Sequence, residues 1–151
     1  MTTSITTFLT YDTQAEEAAK LYTSLFDGSI KDTMRNGGAV FSVTFELLGQ
    51  TYIAMNGGPT FTFAQGTSFM VQVDTDAEID RLWTKLTENG GKPGRCGWLV
   101  DKFGMSWQIV PRQLGGFLSD KDRTKSDRAM QAMMGMQKLD IAKLQAAFDG
   151  V

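Results

Sequence analysis

A five-residue stretch decides the fold of this chain because it occurs twice, as DTQAE at residues 12–16 and as DTDAE at residues 74–78, 62 positions later. Both copies have the Thr-x-x-Glu spacing of a capping box, in which the Thr hydroxyl accepts from the backbone N–H three residues on and the Glu bonds back to the Thr N–H. A helical pattern follows each copy, LYTSL at residues 21–25 and LWTKL at residues 82–86. A repeat of this length indicates a duplicated supersecondary unit.

Apolar periodicity and turn residues around each copy predict a strand, a helix and further strands, roughly a βαβββ unit. In the first copy the predicted strands are residues 4–11, 29–35, 39–48 and 51–56, and the helix is 14–26. In the second copy the strands are 67–74, 93–99 and 105–110, and the helix is 76–88. Gly28 is expected to end the first helix in the αL conformation, and Asn36-Gly37-Gly38 predicts a hairpin turn.

The composition changes after Pro111, where two helical patterns begin with capping residues. One runs from residues 119–122 to about Met136, and Asp140 caps the other. The sequence thus predicts an α+β fold of two βαβββ modules with a C-terminal helical extension. We expect one domain over residues 1–151, with module one at 4–58, module two at 66–112 and the extension at 113–151.

Charge and composition exclude several classes of partner. The net charge is −2 and the basic residues are scattered, so we expect no nucleic-acid partner. No segment approaches the roughly 20 apolar residues of a membrane span, and MTTSITTFL lacks the basic start of a signal peptide. Because Cys96 is the only cysteine, no intrachain disulfide forms, and we expect a cytoplasmic protein.

The sequence contains no histidine. It therefore lacks the usual general base near neutral pH and the commonest transition-metal ligand. Any metal site would have to use carboxylates, Gln, Cys or water, and Ser-His and Cys-His nucleophile pairs are excluded.

Period-two alternation divides each predicted sheet into two faces. In residues 68–73, Phe69, Val71 and Val73 form an apolar face, while Ser68, Met70 and Gln72 form a mixed one. The repeat offset places Thr6 and Phe8 on the mixed face of module one, and parity adds Met55 there and Gln108 in module two. Tyr52 and Trp107 correspond and suit the helix side. Such a mixed face is either a solvated surface or the wall of a cup, and the second interpretation is favoured because Met and Phe alternate with Ser and Gln.

Two features of the second half allow alternative interpretations. Met130, Met133 and Met134 form a stripe that either packs on the body or on a second subunit, or serves as a flexible lid over a ligand, since Met adapts to irregular surfaces. Cys96 is interpreted as a half-buried strand residue. As a nucleophile it would need a nearby cation, and on a strand Arg95 points to the opposite face.

Several short segments, spread over nearly the whole chain, resemble those of a known family. They are QAEEAA (14–19), GQ (49–50), NGGP (56–59), CGWL (96–99), FG (103–104), SWQIVP (106–111), MQAM (130–133) and DIA (140–142). With the duplicated module, they resemble the PhnB-like, 3-demethylubiquinone-9 3-methyltransferase-like branch of the vicinal oxygen chelate (glyoxalase/bleomycin-resistance/dioxygenase) superfamily. The resemblance implies two βαβββ modules that make a cleft, in a homodimer.

The resemblance also implies where active members hold a metal ion, mostly with His and Glu on the first and last strand of each module. The matching positions here are Thr6, Ile53, Ser68 and Gln108. An Ile cannot bind a metal, and Gln108 alone could do so weakly, so we expect no metal. We also expect no cofactor, since the turn after the first strand lacks the glycines with which Rossmann-type methyltransferases hold their adenosyl cofactor.

Three functions remain as hypotheses. The favoured one is a metal-free protein that binds a small, partly apolar molecule. Its expected ligand-binding residues are Thr6, Phe8, Met55, Ser68, Met70, Gln72, Trp98, Phe103 and Gln108. The others are an enzyme with an unidentified substrate, which uses carboxylates, Cys96 or a substrate-borne group, and a structural dimer with a vestigial pocket. The sequence names no catalytic residue.

Overall fold

Duplication of one unit is the main feature of the computed structural model, which describes residues 2–151. The chain divides into two units, the first ending at Thr62 and the second running from Phe63 to Val151. The first contains β1 (Thr7–Tyr11), α1 (Ala15–Leu25), β2 (Gly28–Asn36), β3 (Ala39–Leu47) and β4 (Gln50–Asn56). Its sheet has the order β1-β4-β3-β2, with β1 parallel to β4.

The second unit repeats this arrangement and adds helices. It contains β5 (Ser68–Val73), α2 (Asp76–Thr87), β6 (Lys92–Pro93), β7 (Trp98–Val100) and β8 (Ser106–Pro111). The sheet order is β5-β8-β7-β6, and β5 is parallel to β8. The predicted α+β fold of two βαβββ modules is therefore confirmed. None of the helices within residues 2–151 combines the length and the apolarity needed to cross a membrane.

The register of the parallel strands confirms how the two copies correspond. Thr7 pairs with Tyr52 in the first sheet, and Phe69 pairs with Trp107 in the second. Both aromatic residues lie on the helix side, as predicted. Tyr52 stacks on the buried Phe45 ring at a centroid distance of 5.5 Å, and its partial burial raises the pKa of its phenol. Trp107 is buried against Phe69.

The capping box forms in only one of the two copies. Before α2, the Thr75 hydroxyl accepts from the Glu78 N–H at 3.2 Å, and the Glu78 carboxylate accepts from the Asp74 N–H rather than from that of Thr75. The prediction for the first copy is wrong. Helix α1 has Gln14 at its N-cap, and its Ala15 N–H donates instead to Asn56 Oδ1 at 2.9 Å. A side chain from β4 thus caps α1 and makes the local Thr cap unnecessary.

Gly28 does not end α1 in the αL conformation, so that prediction is wrong too. It is the first residue of β2, and a Cβ at this position would lie 2.4 Å from the Glu46 carbonyl oxygen. Glycine is needed here because two backbone segments approach closely. The predicted hairpin turn is confirmed: Gly37 and Gly38 both have positive φ between the paired residues Asn36 and Ala39.

The predicted strand over residues 93–99 is wrong. The chain instead forms a turn over residues 94–97, which we call the rim turn, between the short strands β6 and β7. Cys96 has φ of 56° and Gly97 has φ of 85°, a left-handed pair that no strand accommodates. Cys96 is therefore a partly buried turn residue, and the argument that Arg95 faces away from it across a strand does not hold.

The extension consists of α3 (Leu114–Leu118), which sequence patterns did not indicate, α4 (Arg123–Met134) and α5 (Ile141–Asp149). Asp122 and Asp140 cap α4 and α5, as predicted. Met133 packs against the buried cluster of Phe117, Ala129, Leu139 and Leu144, whereas Met130 and Met134 remain partly exposed. The extension is joined to α2, since Asp76 Oδ1 accepts from the Ile141 N–H at 2.7 Å and Lys138 pairs with Asp80.

Candidate functional site

The second sheet has an apolar face toward α2 and a mixed opposite face, which we call the open face. Strand registers place six side chains that matter here on the open face: Ser68, Met70, Gln72, Trp98, Ser106 and Gln108. Val73 on the other face is buried, while Met70 on the open face is 57% exposed. The predicted separation of β5 into two faces is therefore confirmed.

Hydrogen bonds already engage the three polar side chains of the open face that were expected to bind a ligand, Ser68, Gln72 and Gln108. Gln108 Nε2 donates to the Ser68 hydroxyl at 2.9 Å, which joins β8 to β5. Gln72 Oε1 accepts a long bond of 3.5 Å from Arg112, whose Nε lies 2.9 Å from the Asp74 carboxylate. The Gln72 end of the face is thus exposed and occupied by an ion pair, whereas Ser68 and Gln108 form a compact neutral pair.

A cavity of about 420 Å³ lies beside this neutral pair, partly open to solvent. Its lining residues come from the rim turn, from β7, from the first residue of β8 and from the segment before β5: Gln65, Gly94, Arg95, Trp98, Leu99, Val100 and Ser106. Trp98 pairs with Gln108, and Val100 pairs with Ser106. Since residues in register lie side by side on a sheet, the cavity adjoins the Gln108 side of the open face.

Backbone hydrogen bonds hold the rim turn in place. The Gly94 N–H donates to the Trp98 carbonyl at 2.8 Å, and the Trp98 N–H donates back to the Arg95 carbonyl at 3.0 Å. Two further bonds come from outside the sheet, because the N–H groups of Cys96 and Gly97 donate to the carbonyls of Met136 and Gln137. The cavity is therefore built on a turn that the extension supports.

Trp98 is the predicted site residue that lines this cavity, and Thr6, Phe8, Met55 and Phe103 are not among its lining residues. Phe8 and Met55 lie on the corresponding face of the first sheet, where Phe8 is 53% exposed and Met55 is partly buried. Thr6 precedes β1 and is exposed. Phe103 lies in the β7–β8 turn, where its N–H donates to Asp101 at 2.9 Å, and it does not line the cavity.

The residues expected to bind a ligand included none of the cavity's three polar side chains, Gln65, Arg95 and Ser106. Gln65 belongs to a loop with no periodic signal. Arg95 lies in the sequence GRCG at residues 94–97, whose two glycines are a turn signal that the strand interpretation overlooked. Recognising that signal would have placed Arg95 at the end of the sheet.

The residues at the four positions implied for a metal ion do not fit one. Ile53 offers only hydrocarbon, Thr6 is exposed before β1, and Ser68 and Gln108 are bonded to each other. Across residues 2–151, no three Asp, Glu or Cys side chains come together in a way that could hold a metal ion. The described part of the chain thus lacks the donor set of a transition-metal centre.

A second, wider depression of about 620 Å³ lies on the extension between α4 and α5. Arg128 is among its lining residues, and its guanidinium already donates to the carbonyls of Ala147 and Phe148 at 2.9 and 2.8 Å. These bonds satisfy the C-terminal end of α5. We therefore take the cavity at the rim turn as the candidate site.

Comparison with known proteins identifies the family. The model of the 3-demethylubiquinone-9 3-methyltransferase family matches residues 3–110. The chain belongs to this family. The PhnB protein from Bacillus cereus, which is described as a 3-demethylubiquinone-9 3-methyltransferase, shares the family fold at 35% identity and a TM-score of 0.67, over 72% of this chain and 99% of that one. No protein with a curated description matches the chain.

More distant structures show the fold alone. A protein from Pseudomonas aeruginosa has 19% identity and a TM-score of 0.60, with 73% of this chain and 98% of that one covered. The fosfomycin resistance protein FosX from Listeria monocytogenes, solved with Mn(II) and sulfate, has 12% identity and a TM-score of 0.54, over 72% and 91% of the two chains. These matches confirm the glyoxalase/bleomycin-resistance/dioxygenase fold of the family member described here.

The methyltransferase name of the family implies an adenosyl methyl donor, and the β1–α1 connection does not fit one. Residues 12–14 contain no glycine that would let a cofactor approach the backbone. The first N–H group of α1 is also occupied, since Ala15 donates to Asn56 Oδ1. A helix N-terminus that binds a ligand presents such groups to the ligand instead.

Proposed function

We propose that this family member binds a small, partly apolar molecule in the cavity of its second unit, without a metal ion. The observation that carries the proposal is the cavity itself, where the Trp98 indole, 37% exposed, lies beside the polar side chains of Gln65, Arg95 and Ser106. Ligand sites commonly combine apolar walls with a few polar groups of this kind. An exposed indole also offers a large rigid contact surface.

The residues expected from the sequence extend the proposed site over the open face. A ligand that reaches from Trp98 across β8 toward β5 would meet Gln108 first, and then Met70, which pairs with Gln108, with Ser68 beside it on the same strand. The Gln108–Ser68 pair would supply neutral hydrogen bonds, and Met70 an adaptable apolar contact. Gln72 is the next residue after Met70 on the same face of β5, so it would contact only a longer ligand. For Thr6, Phe8 and Met55 we propose ligand contacts on the equivalent face of the first unit. For Phe103 we propose a ligand contact at the β7–β8 turn.

A thermal-shift panel of aromatic acids, amides, quinones and phosphonates tests the binding function. A ligand that binds only the folded state raises the melting temperature in proportion to the logarithm of its concentration over Kd. We expect at least one class to stabilise the wild type, and Trp98→Ala to remove the shift. Trp83→Ala is the matched control, because Trp83 belongs to α2 and does not line the cavity. The proposal would be contradicted if no compound raised the melting temperature. It would also be contradicted if a ligand raised the melting temperatures of Trp98→Ala and Trp83→Ala equally.

We also propose that the chain forms a homodimer. The support is that several large apolar side chains are exposed in the single chain. Phe8 and Met34 in the first unit and Met70 in the second are each more than half exposed. A contiguous apolar patch often marks a protein interface, and contact with a second copy would remove such side chains from water. Sedimentation velocity at micromolar concentration is expected to give twice the chain mass of 16.6 kDa. A sedimentation coefficient of a monomer under these conditions would contradict the proposed homodimer.

A further inference from the structure

We propose that the ligand of the cavity carries an anionic oxygen group, a carboxylate or phosphonate on a planar apolar body, and that Arg95 recognises that group. This inference rests on the binding function proposed above. It adds the chemical class of the ligand and the residue that selects it.

The charge of the cavity wall points to an anion. Among its seven lining residues, Arg95 is the charged one, and no acidic side chain lines the cavity within the described part of the chain. A guanidinium has five N–H donors in a planar fork, which matches the two oxygens of a carboxylate. In Arg95, Nη2 donates to the Met134 carbonyl at 3.1 Å, and the residue as a whole is exposed.

The extension determines where this guanidinium lies. The Met134 carbonyl belongs to the last residue of α4, at the helix end whose free carbonyls attract a cation. Two residues further on, Met136 and Gln137 accept from the N–H groups of Cys96 and Gly97. A non-glycine residue at positive φ, such as Cys96, is strained and persists only where its surroundings hold it. The segment 134–137 therefore holds both the rim turn and the side chain that it carries.

The neighbouring groups describe the remainder of the ligand. Trp98 lies three residues after Arg95 and belongs to the same cavity wall, so an aromatic ring against the indole would place its anionic substituent near the guanidinium. Ser106 and Gln65 can add neutral hydrogen bonds. A side chain that is already held in place also loses less entropy when a ligand binds. Together these features favour a rigid aromatic acid over a flexible chain.

The first experiment compares two isosteric probes, 2-naphthoate and its neutral analogue 2-naphthamide, by isothermal titration calorimetry. We expect the wild type to prefer the naphthoate by roughly fivefold to tenfold, the range for a charge-assisted hydrogen bond near solvent. Arg95→Gln should abolish that preference, Arg95→Lys should keep part of it, and 2-naphthylphosphonate shows which anion fits better. Arg123→Gln is the matched control, because Arg123 is an exposed arginine outside the cavity.

The outcomes separate this inference from the underlying function. If both probes bind equally and Trp98→Ala weakens both, the cavity binds ligands but the anion inference is wrong. If the naphthoate preference survives Arg95→Gln, another group selects the anion and the inference is equally wrong. If neither probe binds at any soluble concentration while the thermal-shift panel still identifies a ligand, the anion inference is wrong and the binding function stands. If the panel also finds no ligand, both fail.

The second experiment tests the positioning by the extension. Leu139 approaches Gly97 closely, so Leu139→Val loosens the support of the rim turn and keeps most of the buried volume. We expect it to lower the affinity for naphthoate and to leave that for naphthamide nearly unchanged. Leu144→Val, in the same buried cluster, is the control that should change neither. Equal losses for both probes in the Leu139 variant, or no loss, would overturn the positioning role.

Discussion

The side-chain amide of Gln108 donates a hydrogen bond of 2.9 Å to the hydroxyl of Ser68, across the parallel strands β8 and β5. These are two of the four positions at which the family resemblance implies metal ligands in active members. Here a neutral hydrogen bond joins the strands at the same place. The pair can therefore contribute both to the stability of the sheet and to the proposed recognition of a ligand.

The first prediction concerns that pair. Gln108→Ala and Ser68→Ala are each expected to lower the free energy of unfolding, and the double mutant should show a coupling of about 0.5–1.5 kcal/mol, the net value of one hydrogen bond. Urea titration of the four proteins measures the cycle. Gln72→Ala with Ser68→Ala is the control pair and should be additive, because the Gln72 amide contacts Arg112. A Gln108–Ser68 coupling near zero would contradict the observed bond.

The second prediction is that purified protein contains no stoichiometric transition metal. The chain has no histidine, and the side chains of Ile53, Ser68 and Gln108 do not form a donor set for such a metal. Elemental analysis of protein dialysed without chelator checks this directly. Adding Zn²⁺ or Mn²⁺ should also leave the melting temperature unchanged, since a specific ligand of the folded state would raise it. One zinc, nickel, iron or manganese per chain would refute the prediction.

The third prediction compares two glycines with positive φ. Gly97→Ala should destabilise the protein by more than ~2 kcal/mol, because its left-handed backbone costs about 1–2 kcal/mol for an L-residue and its Cβ would also lie 2.8 Å from the Ile109 carbonyl oxygen. Gly37→Ala should cost only the backbone term, since a Cβ there meets nothing within 4 Å. Chemical denaturation of both variants gives the comparison. Equal losses would show that close packing at Gly97 contributes nothing.

The fourth prediction concerns Asp101, a carboxylate that is 2% exposed. It accepts from the Trp107 indole N–H at 2.9 Å and from the N–H groups of Phe103 and Met105 at 2.9 and 3.0 Å. Asp101→Ala should cost roughly 3 kcal/mol or more, taking about 1–3 kcal/mol for each buried donor that loses its acceptor. Urea unfolding, followed by Trp fluorescence, measures the loss.

Asp12→Ala is the control for this substitution, because Asp12 is exposed and should tolerate the change within about 0.5 kcal/mol. A loss at Asp101 as small as that at Asp12 would mean that the β7–β8 turn does not depend on the buried carboxylate.

Strong local patterns were sufficient to predict the duplicated modules. Alternation along β5 assigned its two faces correctly, and the glycine pair at residues 37–38 identified a hairpin. Capping residues identified the starts of α4 and α5. These features depend on residues within a few positions of one another, so they can be predicted from local sequence patterns.

The failures share one cause, namely a partner that is distant along the chain. Helix α1 takes its cap from Asn56, 41 positions away, and Gly28 is needed because the Glu46 carbonyl oxygen lies close by. The rim turn adopts a conformation unlike a strand because the backbone near Met136 and Gln137 accepts its N–H groups. Local propensity cannot report contacts of this kind.

The sequence by itself determined the two βαβββ modules, the family resemblance and the unsuitability of the residues for a histidine-based metal centre. Periodicity, capping residues and residue chemistry are local properties of the sequence, and they do not depend on tertiary contacts. Only the tertiary structure decided that Arg95 and Ser106 line one cavity with Trp98 and that Gln108 is bonded to Ser68. The physical reason is that a cavity exists only between segments, here the rim turn, β7, the start of β8 and the segment before β5, whose proximity results from packing.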